Sequence, residues 1–372
     1  MKHEMLNGAH YLLGARFDNW VRLLWENRFK IAPRAIPQAL YISIVSLILF
    51  PFAILEAAVF AIPIKRARVR SGPVYIIGHW RSGTTYLQNL MSKDKNFGWF
   101  DPVSTATFSN CLMLRPLLSA IQRKQLKKAR PMDNMEYKLD LPMEETFALA
   151  TISPLAIIQM ITFPQNFRRY LDTAFLADLT PREEKEWYRA YDYILRKLTY
   201  INKGRPLLLK SPDNTCRVKE LKERYPGAKF VNIYRNPYTV VMSTINMFIK
   251  QMDMLALQER PEGFDELIED TIVSEFGRMY RELFENQKGL KDDEYIDVCY
   301  EKFVAEPEKE LERIYKTLDL PDFEKARKEI EKHIESQKDY KKNKFSLSER
   351  LKGKINRELG FYFEHYGYAM EE

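Results

Sequence analysis

Residues 74–90 read VYIIGHWRSGTTYLQNL. Val74 to Ile77 is an unbroken apolar run, the pattern of a short strand buried on both faces. Gly78 and Gly83 bracket the turn after it, and apolar residues at helical spacing follow. Strand, glycine-bracketed loop and helix are the parts of a phosphate-binding loop, and the two glycines are spaced as in G-x-x-x-x-G-K-S/T. Backbone amides at such a helix start point towards an anion, and the positive helix end favours its charge. The position where a nucleotide kinase carries its lysine is Thr84 here. The cation is instead Arg81, two residues before Gly83. A loop so changed fits a nucleotide whose reactive group is not a γ-phosphate.

Residues 205–243 read RPLLLKSPDNTCRVKELKERYPGAKFVNIYRNPYTVVMS. A short strand is expected over 207–209, ending in Lys210 and Ser211 at its carboxyl end, where ligands bind in open parallel sheets. A basic helix is expected over 215–225, then a strand over 230–234 ending in Arg235. The chain is read as helical from Tyr238, with Ser243 eight residues after Arg235. Two strand ends that each offer a cation form a pocket for a polyanion. The alternation of strands and helices predicts a parallel α/β sheet flanked by helices, with the 78–85 loop at a strand's carboxyl end.

At this point the motifs identify a resemblance. GHWRSGTT resembles the 5′-phosphosulfate loop of the sulfotransferases, and YRNPYTVVMS resembles their 3′-phosphate motif, an arginine followed eight positions later by a serine. LLLKSPDNT, RPMDNMEYKLDLPMEETFAL and EYIDVCYEKFVAEPEKELERIYKTLDL are similar to segments of the bacterial branch. The resemblance runs from Pro73 to the C-terminus. It implies a P-loop-like fold, 3′-phosphoadenosine-5′-phosphosulfate (PAPS) as donor and 3′,5′-adenosine bisphosphate as product. A sulfuryl group then moves to an acceptor hydroxyl or amine, with no metal. It also implies that Arg81, Ser82, Gly83, Thr84 and Thr85 hold the 5′ side of the donor. Arg235 and Ser243 would hold the 3′-phosphate, and Lys210 would reach the sulfuryl oxygens or the bridging oxygen.

The acceptor hydroxyl needs a base, a histidine in some branches of the family and a glutamate in another. Glu144 and Glu145 are adjacent, so they point to different faces of a helix and at most one serves. Glu144 aligns with the first acid of the bacterial P-x-E-D/E-E pattern, whose third acid is Thr146 here. Asn214 stands where the branch often has a histidine, and it cannot accept a proton. His79 is the remaining candidate; its other reading is a histidine packed against Trp80 or the loop backbone.

The chain has 372 residues, 45% of them hydrophobic, enough for the core of one large α/β domain with additions. Its net charge of +7 suits a polyanionic cofactor or an anionic membrane surface. Acidic residues interleave with the basic ones, which argues against nucleic acid. Cys111, Cys216 and Cys299 are far apart, as expected of reduced cytoplasmic thiols with no metal site.

Residues 38–64 are nearly all apolar and long enough to span a bilayer, but Pro51 and Glu56 interrupt them. Both flanks are basic, with Arg28, Lys30 and Arg34 before and Lys65, Arg66, Arg68 and Arg70 after. A simple span is asymmetric in Lys and Arg, so the expectation is a hairpin bent at Pro51 with both ends cytoplasmic. Residues 9–29 place Leu13, Phe17, Trp20, Leu24 and Trp25 at helical spacing with arginines between them, as in an interfacial helix. The alternative is that both pieces pack on the protein's own core. The chain is accordingly divided into an apolar helical segment, 1–72, and a sulfotransferase domain, 73–372.

Aromatic residues and Met160 within 151–178 offer a wall for an apolar acceptor. Together with the N-terminal segment they lead to a cytoplasmic, membrane-associated sulfotransferase acting on a lipid-like or sterol-like alcohol. A carbohydrate acceptor, ATP-dependent phosphoryl transfer and a non-catalytic nucleotide-binding role are the alternatives. Thr84 and the lack of an acidic strand end for Mg²⁺ argue against phosphoryl transfer. Thr180 and Pro181 cap a helix expected over 181–202. Two basic segments remain, 123–130 and 338–345, the second able to close over the adenine and phosphates.

Overall fold

The computed structural model describes residues 10–69, 72–125, 139–321, 323–336 and 347–371. The basic segment 338–345 and residues 126–130 of the other basic segment lie outside the described residues. The chain divides into two compact units. The first holds the described residues of Met1–Arg70, Gly98–Leu209 and Lys250–Pro261; the second holds those of Ser71–Phe97, Lys210–Ile249 and Glu262–Glu372.

Four strands form one sheet: β1 (Val74–Ile77), β2 (Leu208–Lys210), β3 (Lys229–Tyr234) and β4 (Tyr295–Cys299), in the order β2-β1-β3-β4. β1 pairs in parallel with β3, Val74 opposite Lys229, and β3 with β4, Phe230 opposite Tyr295. Every residue of β1 is buried, whereas β4 at the edge alternates. That contrast follows from position, because a central parallel strand is covered on both faces and an edge strand is not. Parallel strands need crossovers, and helices supply them: β1 leads into a helix at Thr84–Met91, β3 into one at Pro237–Leu255. The parallel sheet flanked by helices is the architecture expected from the sequence.

One helix differs. The expected helix over 215–225 is a 3₁₀ turn, Pro212–Cys216, followed by a shorter helix, Val218–Arg224. The break falls at Arg217, whose Nη1 donates to Asp213 Oδ2 at 2.8 Å, both side chains being almost fully buried. A buried guanidinium needs its carboxylate; the helix starts after Arg217, whose backbone at φ −131° lies outside helical geometry.

In the first unit the helix Pro181–Ile201 begins with a reciprocal cap. Thr180 Oγ1 accepts from the Glu183 amide, and Glu183 Oε2 accepts from the Thr180 amide at 3.0 Å. Its buried face carries Trp187, Tyr191, Ile194 and Leu198. The N-terminal segment forms α1 (Phe17–Glu26), α2 (Ile36–Val59) and α3 (Ala61–Arg66). Pro51 does not turn the apolar run into a hairpin: α2 continues through it for 24 residues, and the break comes at Phe60. A proline removes one backbone bond and kinks a helix, which is not enough to reverse it.

Glu56 also has a partner. It is 1% exposed and lies on the inward face of α2 with Ala39, Ile42, Ser46 and Ala53. Lys197 Nζ stands 2.5 Å from Glu56 Oε1, and the amides of Leu112 and Met113 donate to Oε2 at 2.9 and 2.8 Å. Lys197 also donates to the Phe108 carbonyl and lies over its ring. Trp20 Nε1 donates to Ser43 Oγ at 2.9 Å and ties α1 to α2. The opposite face of α2 is open: Leu40, Ile44, Leu47, Ile48 and Leu55 are each about half exposed, Ile48 the most at 61%. Pro33–Val59 is long and apolar enough to cross a membrane by length and composition. One face of it is nonetheless committed to the protein.

Candidate donor-binding site

The loop after β1 has a backbone that few residues tolerate. Gly78 has φ +128°, and a Cβ there would fall 2.4 Å from the Ile233 carbonyl oxygen. Gly83 has φ +112°, and its Cβ would fall 2.4 Å from the Tyr300 ring. The loop is therefore wedged between β3 and Tyr300, and only glycine fits at either end. Arg81, at φ +69°, occupies the left-handed region that non-glycine residues seldom visit and that recurs at functional sites. Gly83 caps α4 (Thr84–Met91). The first-turn amides of α4 have no preceding turn of helix to bond.

The second unit brings the predicted donor residues together. Arg81 Nε donates to Ser243 Oγ at 2.9 Å, and Arg235 Nη1 donates to the Arg81 carbonyl at 3.2 Å. Lys210, 2% exposed, donates from Nζ to Thr85 Oγ1 at 3.3 Å. Residues more than 120 positions apart in the chain thus meet at one loop. Ser82 Oγ and Ser211 Oγ, next in sequence to Arg81 and Lys210, are buried with no hydrogen-bond partner among the described residues. A buried hydroxyl without a partner costs about 1–3 kcal/mol. Orphaned hydroxyls beside clustered cations fit a polyanionic ligand that would bond them.

Three residues of this site were not anticipated. Thr215 Oγ1 accepts the Gly78 amide at 2.8 Å and fixes the start of the loop. The Arg235 guanidinium lies 4.1 Å from the centre of the Tyr300 ring, a cation–π contact. Tyr362 OH accepts from the Arg235 amide at 3.3 Å and donates to its carbonyl at 3.0 Å. Tyr300 follows strand β4 directly, the same strand-end position that drew attention to Lys210 and Arg235. Tyr362 lies too far along the chain for any local pattern to reveal its partner.

The three base candidates occupy different settings. His79 is buried, its ring 4.5 Å from Phe276 and its Nδ1 3.0 Å from the Trp80 carbonyl. Burial lowers its pKa to about 4, so the imidazole is neutral at pH 7. Glu145, in the first unit, is 1% exposed, and Tyr191 OH donates to its Oε1 at 3.4 Å. Glu144 is the N-cap residue of the helix Glu145–Ile152 and is half-buried. Met160, Phe163, Phe167 and Tyr170, read from sequence as an acceptor wall, pack into the core of the first unit.

A parallel sheet, a wedged loop ahead of a helix and a cluster of arginine, lysine and serine at strand ends are the parts of a site for an anionic ligand. Residues 73–325 match the sulfotransferase family, and the chain belongs to it. Over 364 residues it is 29% identical to the omega-hydroxy-beta-dihydromenaquinone-9 sulfotransferase Stf3 of Mycobacterium bovis and of Mycobacterium tuberculosis, covering 96% of this chain and 90% of theirs. Its fold is shared with the crystal structure of sulfotransferase STF9 from Mycobacterium avium, at a TM-score of 0.68 and 15% identity over 96% of this chain and 98% of that one. The crystal structure of STF1 from Mycobacterium tuberculosis H37Rv aligns at a TM-score of 0.61 and 14% identity, over 92% and 93%. The protein is therefore an enzyme that transfers sulfuryl groups.

Proposed function

We propose that this sulfotransferase takes its sulfuryl group from PAPS and delivers it to the hydroxyl of a lipid-like alcohol at a membrane surface. The observation that carries the donor assignment is the junction of Arg81, Ser243 and Arg235. A 3′-phosphate distinguishes this donor from ATP, and Arg235 with Ser243 is the pair suited to hold it. The amides of Ser82 to Thr85 and the hydroxyls of Thr84 and Thr85 would hold the 5′ side. When bound, PAPS supplies a sulfuryl group already activated on a phosphate. Arg81 and Lys210 would set fixed positive charge on the donor's phosphate side, the main electrostatic source of rate in such transfers. Glu144 takes the acceptor proton. Its half-open setting supports it over Glu145, which is covered by Tyr191, and over His79, which is buried and neutral.

Two observations support the lipid acceptor. Stf3, similar over nearly the whole chain, is named for a hydroxylated menaquinone. The exposed face of α2 offers a continuous apolar surface of the kind that lies in a membrane interface. With Glu56 held inside, α2 rests on the membrane rather than crossing it, and the enzyme is peripheral or monotopic on the cytoplasmic face.

Two measurements test this reading. Labelled PAPS is offered with hydroxylated isoprenoid quinols, sterols, phenols and sugars, and the labelled product is identified by mass. Product from the apolar alcohols is expected; product from sugars alone, with the enzyme recovered entirely in the soluble fraction, removes the lipid and membrane parts together. Calorimetry compares 3′,5′-adenosine bisphosphate with AMP. Loss of the 3′-phosphate weakens binding by about 1.5–3 kcal/mol if Arg235 and Ser243 grip it; equal affinities refute that assignment.

A further inference from the structure

The first unit contains a cavity of about 1140 Å³ whose wall carries Arg66, Arg68, Arg115, Lys203 and Arg205. Among the described residues two acids line it, Asp101 and Asp140, and Asp101 is paired with Arg115. Its wall includes none of Arg81, Lys210, Arg235 and Ser243, the residues proposed to hold the donor.

The cavity continues the apolar surface. Its wall includes Pro63 and Arg66 of α3 and then Arg68, the stretch of chain that leaves α2. Tyr200, also in the wall, packs against Phe60 at the end of α2, with ring centres 6.0 Å apart. Arg196 Nη1 donates to the Lys65 carbonyl at 3.0 Å and holds this stretch against the helix Pro181–Ile201. Apolar side chains that would enter a lipid layer thus end at a concave cluster of cations. That sequence of surfaces matches one molecule, an amphiphile with an acyl region and an anionic head.

We propose that this cavity is a binding site for the headgroup phosphate of an anionic phospholipid, which docks α2 on anionic membrane. The assignment rests on the membrane-facing reading of α2 above. It adds a preference for lipid charge, because basic residues near the surface attract anionic lipid in addition to apolar insertion.

The test is co-sedimentation with vesicles of phosphatidylcholine alone and with roughly a third phosphatidylglycerol. Arg66→Gln/Arg68→Gln/Lys203→Gln is expected to weaken binding to the anionic vesicles by about 10- to 100-fold and to leave binding to phosphatidylcholine unchanged. A matched variant on the second unit, Lys288→Gln/Lys309→Gln/Lys328→Gln, changes net charge equally. If it weakens binding as much, diffuse charge explains the result and the site is overturned. If the unmodified protein binds neither vesicle, the membrane reading of α2 fails. The cavity is then judged by titration with monomeric short-chain phosphatidylglycerol: binding lost in the cavity variant supports it, and no binding overturns it. Inorganic phosphate displacing that lipid at comparable concentration would reassign the cavity to a soluble anion and overturn the lipid proposal. Unchanged circular dichroism melts show that the variants fold.

Discussion

Glu144→Gln is expected to lower turnover about 10²–10⁴-fold while leaving the affinity for 3′,5′-adenosine bisphosphate unchanged. The amide keeps the size of the side chain and loses only the ability to take a proton. Donor affinity is the readout that separates a base from a structural carboxylate, because the residues proposed to hold the donor lie in the second unit and Glu144 in the first. Glu145→Gln serves as the comparison. It disturbs a buried carboxylate that accepts from Tyr191, so its main effect is expected on stability rather than on kcat. His79→Asn tests the remaining candidate. Its ring is buried, and its Nδ1 is within hydrogen-bond reach of the Trp80 carbonyl, so loss of loop order should weaken donor binding together with kcat. Full activity in Glu144→Gln, with activity abolished in His79→Asn at unchanged donor affinity, moves the base to His79.

Glu56→Ala should destabilise the protein by about 3–5 kcal/mol in urea unfolding, because it leaves the Lys197 ammonium buried without its carboxylate. The amides of Leu112 and Met113 lose their acceptor in the same change. Glu56→Met combined with Lys197→Met removes both charges at similar volume and is expected to recover the part of that loss due to the unpaired ammonium, while the Leu112 and Met113 amides stay without their acceptor. A cost of under about 0.5 kcal/mol for Glu56→Ala, the range of surface substitutions, would show that α2 is not anchored by this pair. The pair also bears on the membrane question. A helix whose carboxylate is locked to Lys197 cannot leave the protein to span a bilayer without unfolding that anchor.

The site was legible in the sequence to an unequal degree. The loop from Gly78 to Thr85 was readable because its signal is local: a buried strand, glycines where the backbone must turn, then helical periodicity. Arg235 and Ser243 were readable for the same reason, an arginine closing an apolar strand and a serine two helical turns further on. Tyr362, which brackets the Arg235 backbone, was not, because its partner lies 127 residues away. The helix expected over 215–225 starts only after Arg217, which is buried with Asp213, and that burial leaves no local sign in the sequence.

The sequence by itself determined the strand-loop-helix order, the glycines of the anion loop, the cations at the strand ends and the apolar character of 38–64. These depend on periodicity and on the backbone conformations that each residue permits, and both act over a few residues. Only the tertiary structure decided that α2 continues through Pro51 as one helix, that Glu56 turns inward to Lys197, that His79 is packed and neutral, and that Glu145 is covered while Glu144 is half open. For Glu56, His79 and Glu145 the setting rests on a residue distant in the chain, Lys197, Phe276 and Tyr191; for Glu56 and Lys197 the separation is 141 residues. A charged or titratable side chain carries no local sign of where its partner is, since desolvation and pairing are properties of the assembled surroundings.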